Sequence, residues 1–296
     1  MTPRATFLAL SALIGASFAR DVPQNVKDLY NSIKSQGQCS NVLQGGFYAL
    51  EDGSNDFTYC GDRLESHGII YEQGTGGALS DMDIDCDGVQ GSPADDGRCG
   101  NSGDTQSVTS FSDTVRGYNK GVRDLDANIH PYVVFGNVGS NPGYTNFNPQ
   151  DHGIEPLSLI AVVCGDQLVY GIWGDENGDD GPKAVIGEAS ISLATACFGK
   201  GITGNNGHEE TDVLYIAFQG QDAVPGADGA KWDAANFEEF EASIESLGDS
   251  LASFRVIHDV KIGDVVVNDL TDAIAELRDA EGAYVEGVVQ SRVYYL

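Results

Sequence analysis

Two carboxylates stand at the ends of adjacent apolar segments in YGIWGDENGDDGPKAVIGEAS, residues 170–190. Asp175 follows the first segment, a turn rich in Asp and Gly comes next, and Glu188 ends the second segment. If both segments are strands, the two acids lie at the ends of neighbouring strands. Two carboxyl groups that flank a bond can protonate a leaving oxygen and activate water, which is the chemistry of glycosidic cleavage. Trp173 or Tyr170 then offers an aromatic face to a sugar ring.

The turn between these acids has two other interpretations. Asp175, Asn177 and Asp179 have the spacing with which an EF-hand calcium loop begins, but Ile186 stands where such a loop ends in Glu. A solvated acidic turn without a site is the third interpretation. Asp179 and Asp180 both belong to the turn, and the sequence does not show which of its acids faces inward. We therefore include both among the candidate substrate-binding residues.

A second acidic cluster lies in SDMDIDCDG, residues 80–88, where aspartates alternate with other residues. On a strand, all four would point to one face. Four like charges on one face repel one another unless cations share the site. The cluster is thus a row that binds protonated amines, a calcium loop of the DxDxDG type or an exposed acidic edge, and one of its acids can belong to the catalytic set. The four candidates are Asp81, Asp83, Asp85 and Asp87.

The charge balance narrows the class of partner. The chain has 45 Asp and Glu against 16 Lys and Arg, a formal charge of -29. Such a field repels nucleic acid and anionic membranes and attracts polycations. Chitosan is the obvious cationic polymer outside cells, although acidity can also serve solubility alone. The sequence has no phosphate loop, dinucleotide fingerprint or basic patch, so we expect no cofactor, no bound metal, no nucleic-acid partner and no membrane partner, and a monomer.

The chain begins with the pattern of a secretory signal. Arg4 supplies the positive end, residues 7–14 form a short apolar run, and residues 17–19 are a small-x-small cleavage site. The run is well short of the ~20 residues that a membrane-spanning helix needs. We therefore assign residues 1–19 to a signal peptide and expect an extracellular protein.

Cysteine usage agrees with export. The six cysteines form an even set, which in an exported chain indicates disulfides. Cys86 and Cys99 bracket a short stretch rich in Gly and Asp and can close it. Zinc is the rival interpretation, but the sequence has no CxxC pair.

Periodicity predicts a strand-rich domain with flanking helices. Helical spacing of apolar residues predicts helices over 22–36, 190–199 and 234–254. Apolar or alternating segments predict strands over 131–138, 157–164, 167–174, 183–188 and 213–218, and Gly165-Asp166 indicates a hairpin. We assign residues 20–254 to one domain. The segment 255–296 mixes strand and helix patterns without cysteine, and we interpret it as a small appendage or the product of a faulty gene model.

The chain resembles the fungal chitosanases of glycoside hydrolase family 75. The resemblance covers about residues 20–252, and three long segments carry it: 81–88, 170–199 and 212–244. It implies a secreted endo-acting enzyme that cuts β-1,4 bonds in chitosan with inversion at the anomeric carbon. It also implies a compact β-rich core, with a six-stranded double-psi barrel as the expected topology. The essential acidic pair of the family corresponds to Asp175 and Glu188.

Within this resemblance we expect Glu188 to act as general acid and Asp175 as general base, with the reverse assignment left open. Aspartates of the acidic row are expected to pair with glucosamine ammonium groups. A secreted carbohydrate-binding or calcium-stabilised wall protein without catalysis is the alternative from another class. A hydrolase of neutral β-glucan is the alternative within hydrolases, although the negative charge gives no advantage there.

Overall fold

A computed structural model describes residues 20–50, 52–100, 102–103, 105–178 and 183–253, and the backbone of 260–262 and 265–267. The predicted signal peptide (1–19) and the turn acids Asp179 and Asp180 lie outside the described residues. The chain divides after residue 254 into two units. The assignments of 1–19, 20–254 and 255–296 to a signal, a catalytic domain and a tail stay predictions.

The first unit is a mixed α+β domain with one large sheet. Its strands are β1 (Arg20–Asp21), β2 (Val42–Phe47), β3 (Phe57–Cys60), β4 (Ile69–Gln73), β5 (Ser80–Asp85), β6 (Tyr132–Asn137), β7 (Leu159–Cys164), β8 (Gln167–Asn177), β9 (Glu188–Ser190) and β10 (His208–Phe218). Its described α-helices are α1 (Gln24–Gln36), α2 (Leu64–His67), α3 (Ser112–Gly117), α4 (Ile191–Phe198) and α5 (Phe237–Ala252). Short 3-10 helices span Thr75–Gly77, Pro149–His152 and Gln221–Ala223.

Six of these strands pair in a closed ring. β8 pairs with β6, β6 with β9, β9 with β5, β5 with β10, β10 with β7, and β7 returns to β8. The pairs β5–β9 and β6–β8 are parallel, and the other four are antiparallel. The sheet continues from β10 through β4 and β3 to β2. Closing the ring removes the free edges of its six strands.

The predicted elements are largely present. Helices were predicted over 22–36, 190–199 and 234–254, and α1, α4 and α5 occupy these segments. Strands β6 and β7 match their predictions, β8 continues past its predicted end to Asn177, and β10 begins before its predicted start, at His208. The hairpin at Gly165-Asp166 is confirmed, since Cys164 lies opposite Gln167. The prediction of a strand over 183–188 is wrong in its bounds. Only Glu188 belongs to β9, while Val185 makes an isolated bridge to Tyr48.

The core lies within the ring and under the helices. Large side chains from the strands, including Tyr59, Tyr132 and Tyr215, are fully buried. On α5, Phe240 and Ile244 are buried as the periodicity predicts. Burial of these apolar side chains stabilises the domain because it removes their surface from water.

Helix α5 also buries an acid that the periodicity does not predict. Glu241 is fully buried, and its Oε1 accepts a hydrogen bond of 2.5 Å from the Arg20 guanidinium. Arg20 stacks over the ring of Tyr170, 4.5 Å from its centroid. Burial raises the pKa of Glu241 to about 7, although the Arg20 charge opposes the shift. This ion pair fastens β1 to the last helix of the unit.

Three disulfides join the six cysteines. The predicted bridge between Cys86 and Cys99 is confirmed. The other pairs are Cys39–Cys60 and Cys164–Cys197, of which the second links the end of β7 to α4. Each bridge restricts the unfolded chain and so stabilises the folded one, in the chain-entropy account.

The described part of the second unit is a two-stranded antiparallel hairpin. Its strands are β11 (Val260–Ile262) and β12 (Val265–Val267), with Lys261 opposite Val266. A lone hairpin of this size is marginally stable in water.

Candidate active site

The site is built on three adjacent strands of the ring. Val134 of β6 lies opposite Asp175 of β8 on one side and opposite Glu188 of β9 on the other. Paired residues on neighbouring strands point to the same face of a sheet. Both acids therefore face one cleft, and Val134 forms its floor. Their Cα atoms are two strand spacings apart, about 9–10 Å.

Asp175 is held by a loop that precedes α3. The backbone N–H and the hydroxyl of Ser110 both donate to Asp175 Oδ1, at 2.9 and 2.5 Å. The backbone N–H of Glu176 donates to the same oxygen at 2.8 Å. Burial raises the pKa of Asp175 to about 6, while the bonds from Ser110 and Glu176 oppose the shift. Asp175 thus titrates near neutrality with one oxygen fixed in place.

Asp85 and Asp87 enter the cleft from the end of β5. Both are buried and line the cleft together with Asp175 and Glu188. The backbone N–H of Asp87 donates to Asp85 Oδ1 at 2.6 Å, and that of Gln106 donates to Asp87 Oδ1 at 2.6 Å. Burial, and then the charges of Glu188, Asp175 and Asp87, raise the pKa of Asp85 well above its usual range. Both effects favour the protonated form of Asp85 over its carboxylate.

The other two acids of the predicted row lie further back along β5. Asp83 is exposed and lies opposite Glu188 in the parallel pairing, so it continues the row of side chains beyond the cleft. Asp81 is 1% exposed, and neither of its carboxylate oxygens has a hydrogen-bond partner. Burial raises the pKa of Asp81 to about 9. This burial argues against the predicted contact of Asp81 with an ammonium group, because a polymer bound outside does not reach it.

The structure gives Trp173 and Tyr170 a role different from the predicted one. Both rings are 0% exposed, so neither offers a face to a sugar. Trp173 Nε1 donates to the backbone oxygen of Asp175 at 3.0 Å, and its ring packs edge-on against Phe111. The Tyr170 hydroxyl donates to Asp249 on α5 at 3.0 Å. The prediction of an aromatic platform fails at these positions because β8 is covered on both faces, and Trp173 instead supports the strand that carries Asp175.

Among the described residues, one cluster outside the disulfides has a spacing that suits a metal ion. Oxygens of Asp85, Asp87 and Asp175 lie within 4.8 Å of one another. This set differs from both predicted calcium loops, which used the turn after Asp175 or the alternating row of β5. Calcium takes six to eight oxygen ligands, whereas three carboxyl groups form this cluster, and the raised pKa of Asp85 favours its protonated form, which opposes cation binding. We therefore assign no metal to it.

A more open hollow lies beside Lys120, Trp232 and Lys231. Its lysines are paired, Lys120 with Asp228 and Lys231 with Glu239. The described acids that have raised pKa values and face a cleft lie together in the acidic cleft, not in this hollow. Acids with raised pKa values in a cleft mark functional sites. We therefore place the chemistry at the acidic cleft rather than at this hollow.

Sequence reasoning did not find Ser110. It lies 65 positions from Asp175 along the chain, in a polar loop with no motif. The raised pKa of Asp85 was equally hidden, because it depends on burial and on the three acids around it. The positions of Asp175 and Glu188 on one cleft agree with the sequence prediction, while Asp179 and Asp180 stay predictions.

Within the described part of the chain, the helices are all too short or too polar to cross a bilayer.

Comparison with known proteins identifies the family. Residues 82–254 match the model of "Fungal chitosanase of glycosyl hydrolase group 75". The chain is similar to Endo-chitosanase B of Aspergillus oryzae, with 46% identity over 83% of this chain and 96% of the relative. It is also similar to an Endo-chitosanase of Aspergillus fumigatus, with 47% identity over 82% and 94%. Endo-chitosanase C of Aspergillus oryzae is 33% identical over 72% of this chain and 48% of its own length. The chain therefore belongs to the fungal chitosanases of glycosyl hydrolase group 75.

Proposed function

We propose that this protein is a secreted endo-chitosanase that hydrolyses β-1,4 bonds between glucosamine units with inversion. The observation that carries the proposal is the placement of Asp175 and Glu188 on either side of Val134, facing one cleft. The names of the relatives, which are endo-chitosanases, support the substrate.

The proposed reaction uses one carboxyl on each side of the scissile bond. Glu188 gives its proton to the glycosidic oxygen as the bond to the anomeric carbon breaks. A water on the opposite face of the ring attacks that carbon and loses a proton to Asp175. Two strand spacings separate the Cα atoms by about 9–10 Å, and because both side chains point to the same face, this backbone spacing is compatible with the ~6.5–9.5 Å that inverting enzymes keep between their carboxyl groups. After product release, Asp175 returns its proton to solvent and Glu188 takes one up.

The environment of Asp175 supports its assignment as the base. A base must be ionised before reaction, and the three hydrogen bonds to its Oδ1 stabilise the charged form against burial. Those bonds leave the other oxygen for a water. The reverse assignment predicts instead that the fixed group is the proton donor, and the rescue experiment below distinguishes the two.

The charge of the molecule supports a cationic substrate. The chain carries -29, and Asp83 is an exposed acid directly beside Glu188. An ammonium group on the sugar next to the cleaved bond would meet Asp83 at short range. Asp85 and Asp87 line the cleft itself and stay candidate contacts for the reacting sugar.

Two further parts of the proposal concern topology and location. The closed ring β8–β6–β9–β5–β10–β7 supports the six-stranded double-psi barrel that the resemblance implies. The three disulfides and the signal pattern at 1–19 support secretion.

The test uses Asp175→Asn and Glu188→Gln, with Asp166→Asn and Glu65→Gln as matched controls at exposed positions. We expect both site variants to fold, by circular dichroism, and to release almost no reducing ends from chitosan, while the controls keep wild-type activity. Azide should restore chain cleavage, measured as the glycosyl azide product by mass spectrometry, to the base variant but not to the acid variant, because this small nucleophile replaces the activated water and bonds to the anomeric carbon. Proton NMR of the first product should show the α-anomer.

Each rival predicts a different result. Substantial hydrolysis by either site variant would remove that residue from the mechanism. A wild-type protein that binds chitosan without releasing reducing ends would be the non-catalytic carbohydrate-binding protein. A drop in melting temperature with a chelator would indicate calcium, and faster hydrolysis of cellulose than of chitosan would indicate a neutral-glucan enzyme.

A further inference from the structure

Two exposed valines lie in segments that are hydrogen-bonded to the end of β8 that carries Asp175. Val108 is 52% exposed and Val138 is 55% exposed. Large apolar side chains this open are few among the described residues, the other two being Val42 and Leu50. A single exposed valine needs no explanation, but both of these lie next to residues that line the acidic cleft.

Val108 is held at the cleft by its neighbours on both sides. Two positions earlier, the Gln106 N–H binds Asp87 Oδ1, and two positions later, Ser110 binds Asp175 Oδ1 with its N–H and its hydroxyl. The intervening Thr109 donates twice to Asp124, at 2.9 and 2.6 Å. The backbone around Val108 is therefore anchored to three buried carboxylates.

Val138 is held in a similar way at the end of β6. Its backbone N–H donates to the oxygen of Asn177 at 2.8 Å, and Asn177 itself lines the cleft. The preceding Asn137 is fully buried and its side chain binds the oxygen of Val185 at 2.8 Å. The following Gly139 donates to Asn146 Oδ1 at 2.6 Å. The valine is thus fixed in a solvent-facing position.

Because Trp173 and Tyr170 are buried, an apolar contact with a sugar must come from other side chains, such as these valines. A pyranose ring presents an apolar face of C–H groups as well as its polar substituents. Charge pairing attracts a polycation but does not by itself orient a ring, whereas apolar contact over a fixed surface does. Among the described residues, the tryptophan and tyrosine of β8 lie inside the core, whereas Val108 and Val138 are exposed large apolar side chains in segments that are hydrogen-bonded to the end of this strand.

We propose that Val108 and Val138 contact the apolar faces of chitosan sugar rings at the cleft and so contribute to substrate binding. The inference rests on the proposed function and adds two specificity-determining residues to it. Burial of the valine methyl groups against a sugar contributes to binding through the removal of apolar surface from water.

The test compares Val108→Ser, Val138→Ser and the double variant with Val42→Ser. Val42 lies on β2 and is 47% exposed, so it matches the two valines in residue type and exposure. We expect each site variant to raise the KM for highly deacetylated chitosan about three- to fivefold, with larger effects in the double variant. kcat should stay within about twofold and melting temperatures should match the wild type. Val108→Ile should restore the wild-type KM, because it keeps the apolar contact.

Salt separates this contact from charge pairing. The increase in KM of the valine variants should persist between low and high sodium chloride, since apolar burial is not screened as ion pairs are. A wild-type KM in all three site variants, or an equal increase in Val42→Ser, would overturn the inference while leaving the carboxylate mechanism intact. An increase that vanishes at high salt would overturn it too. A wild-type protein inactive on chitosan would overturn both proposals.

Discussion

Asp175 and Glu188 lie opposite the same residue, Val134, on the two sides of β6. β6 pairs in parallel with β8 and antiparallel with β9, so it brings together two acids from opposite ends of the intervening turn. The separation of the acids is set by the hydrogen-bonding distance of the sheet, which varies little. A mutation that shifted β6 by one residue against β8 and β9 would place between the acids a neighbour of Val134, whose side chain points to the opposite face.

Ser110 favours the ionised form of Asp175. Its hydroxyl and its N–H both lower the pKa of Asp175 against the larger effect of burial, which raises it to about 6. Removing the hydroxyl in Ser110→Ala should raise the pKa of Asp175, so the base is protonated over a wider acidic range. We expect the acid limb of kcat/KM to move to higher pH by about half a unit or more.

The pH dependence of chitosan hydrolysis measures this shift, with Ser35→Ala, an exposed serine on α1, as the control. An acid limb at the wild-type position in Ser110→Ala would show that the hydroxyl does not stabilise the charged base.

Asp83 is expected to bind substrate through charge. It is exposed and lies opposite Glu188 on β5. Asp83→Asn should raise the KM for highly deacetylated chitosan at low salt, by about two- to fivefold, as expected for a surface charge pair. Because the Debye length is ~8 Å at physiological ionic strength and shorter at higher salt, the difference from wild type should shrink as salt is added.

Steady-state kinetics at two salt concentrations measure this effect. Asp166→Asn removes an equal charge at the exposed β7–β8 turn and controls for net charge. An equal increase in the control would assign the effect to the overall field rather than to Asp83.

Glu72 should make stability depend on pH. It is fully buried on β4, and burial raises its pKa from an ordinary 4.5 to about 8, although the Ser80 hydroxyl at 2.8 Å opposes the shift. Between these two values the folded state binds the proton and the unfolded state does not. The contribution of Glu72 to stability is therefore fully present below about 4.5 and is lost as the pH rises toward about 8.

Glu72→Gln lacks this loss. The melting temperature of the variant minus that of the wild type should be more positive at pH 9 than at pH 5, by at least ~3 °C. The exposed Glu65→Gln should show the same difference from wild type at both values. A difference for Glu72→Gln that does not change with pH would mean that this carboxyl is not protonated in the folded protein.

Position 248 on α5 needs a glycine because the neighbouring Tyr170 ring leaves no room for a side chain, not because of the backbone conformation. A Cβ at this position would lie 2.4 Å from the Cδ2 and Cε2 atoms of Tyr170. Alanine normally stabilises a helix interior relative to glycine by about 0.5–1 kcal/mol. Gly248→Ala should instead lower the free energy of unfolding by ~1–3 kcal/mol, because the buried ring must move.

Urea unfolding measures this change, and Ser246→Ala, at an exposed position of the same helix, should leave stability within about 0.5 kcal/mol. A Gly248→Ala variant as stable as wild type would show that the α5–β8 contact relaxes without cost.

The periodicity of apolar residues predicted most helices and strands, but it did not predict which of them pack or pair together. Helices α1, α4 and α5 and strands β6, β7 and β10 follow from apolar spacing, which depends on local geometry. The burial of Glu241 on α5 does not follow, because its partner Arg20 comes from the other end of the unit. The bounds of β9 were also predicted wrongly, because this strand is set by partners that are distant in the chain. Glu188 is in a strand because β5 and β6 pair with it.

The sequence by itself determined an acidic chain, six cysteines and a carboxylate at each end of a short turn. Only the tertiary structure decided that Val134 stands between those carboxylates, that Ser110 holds one of them, and that the tryptophan and tyrosine of β8 are buried. The physical reason is that residue type and local periodicity are properties of neighbouring positions. Pairing register and burial depend instead on strands that are distant in the chain and meet only when the ring closes.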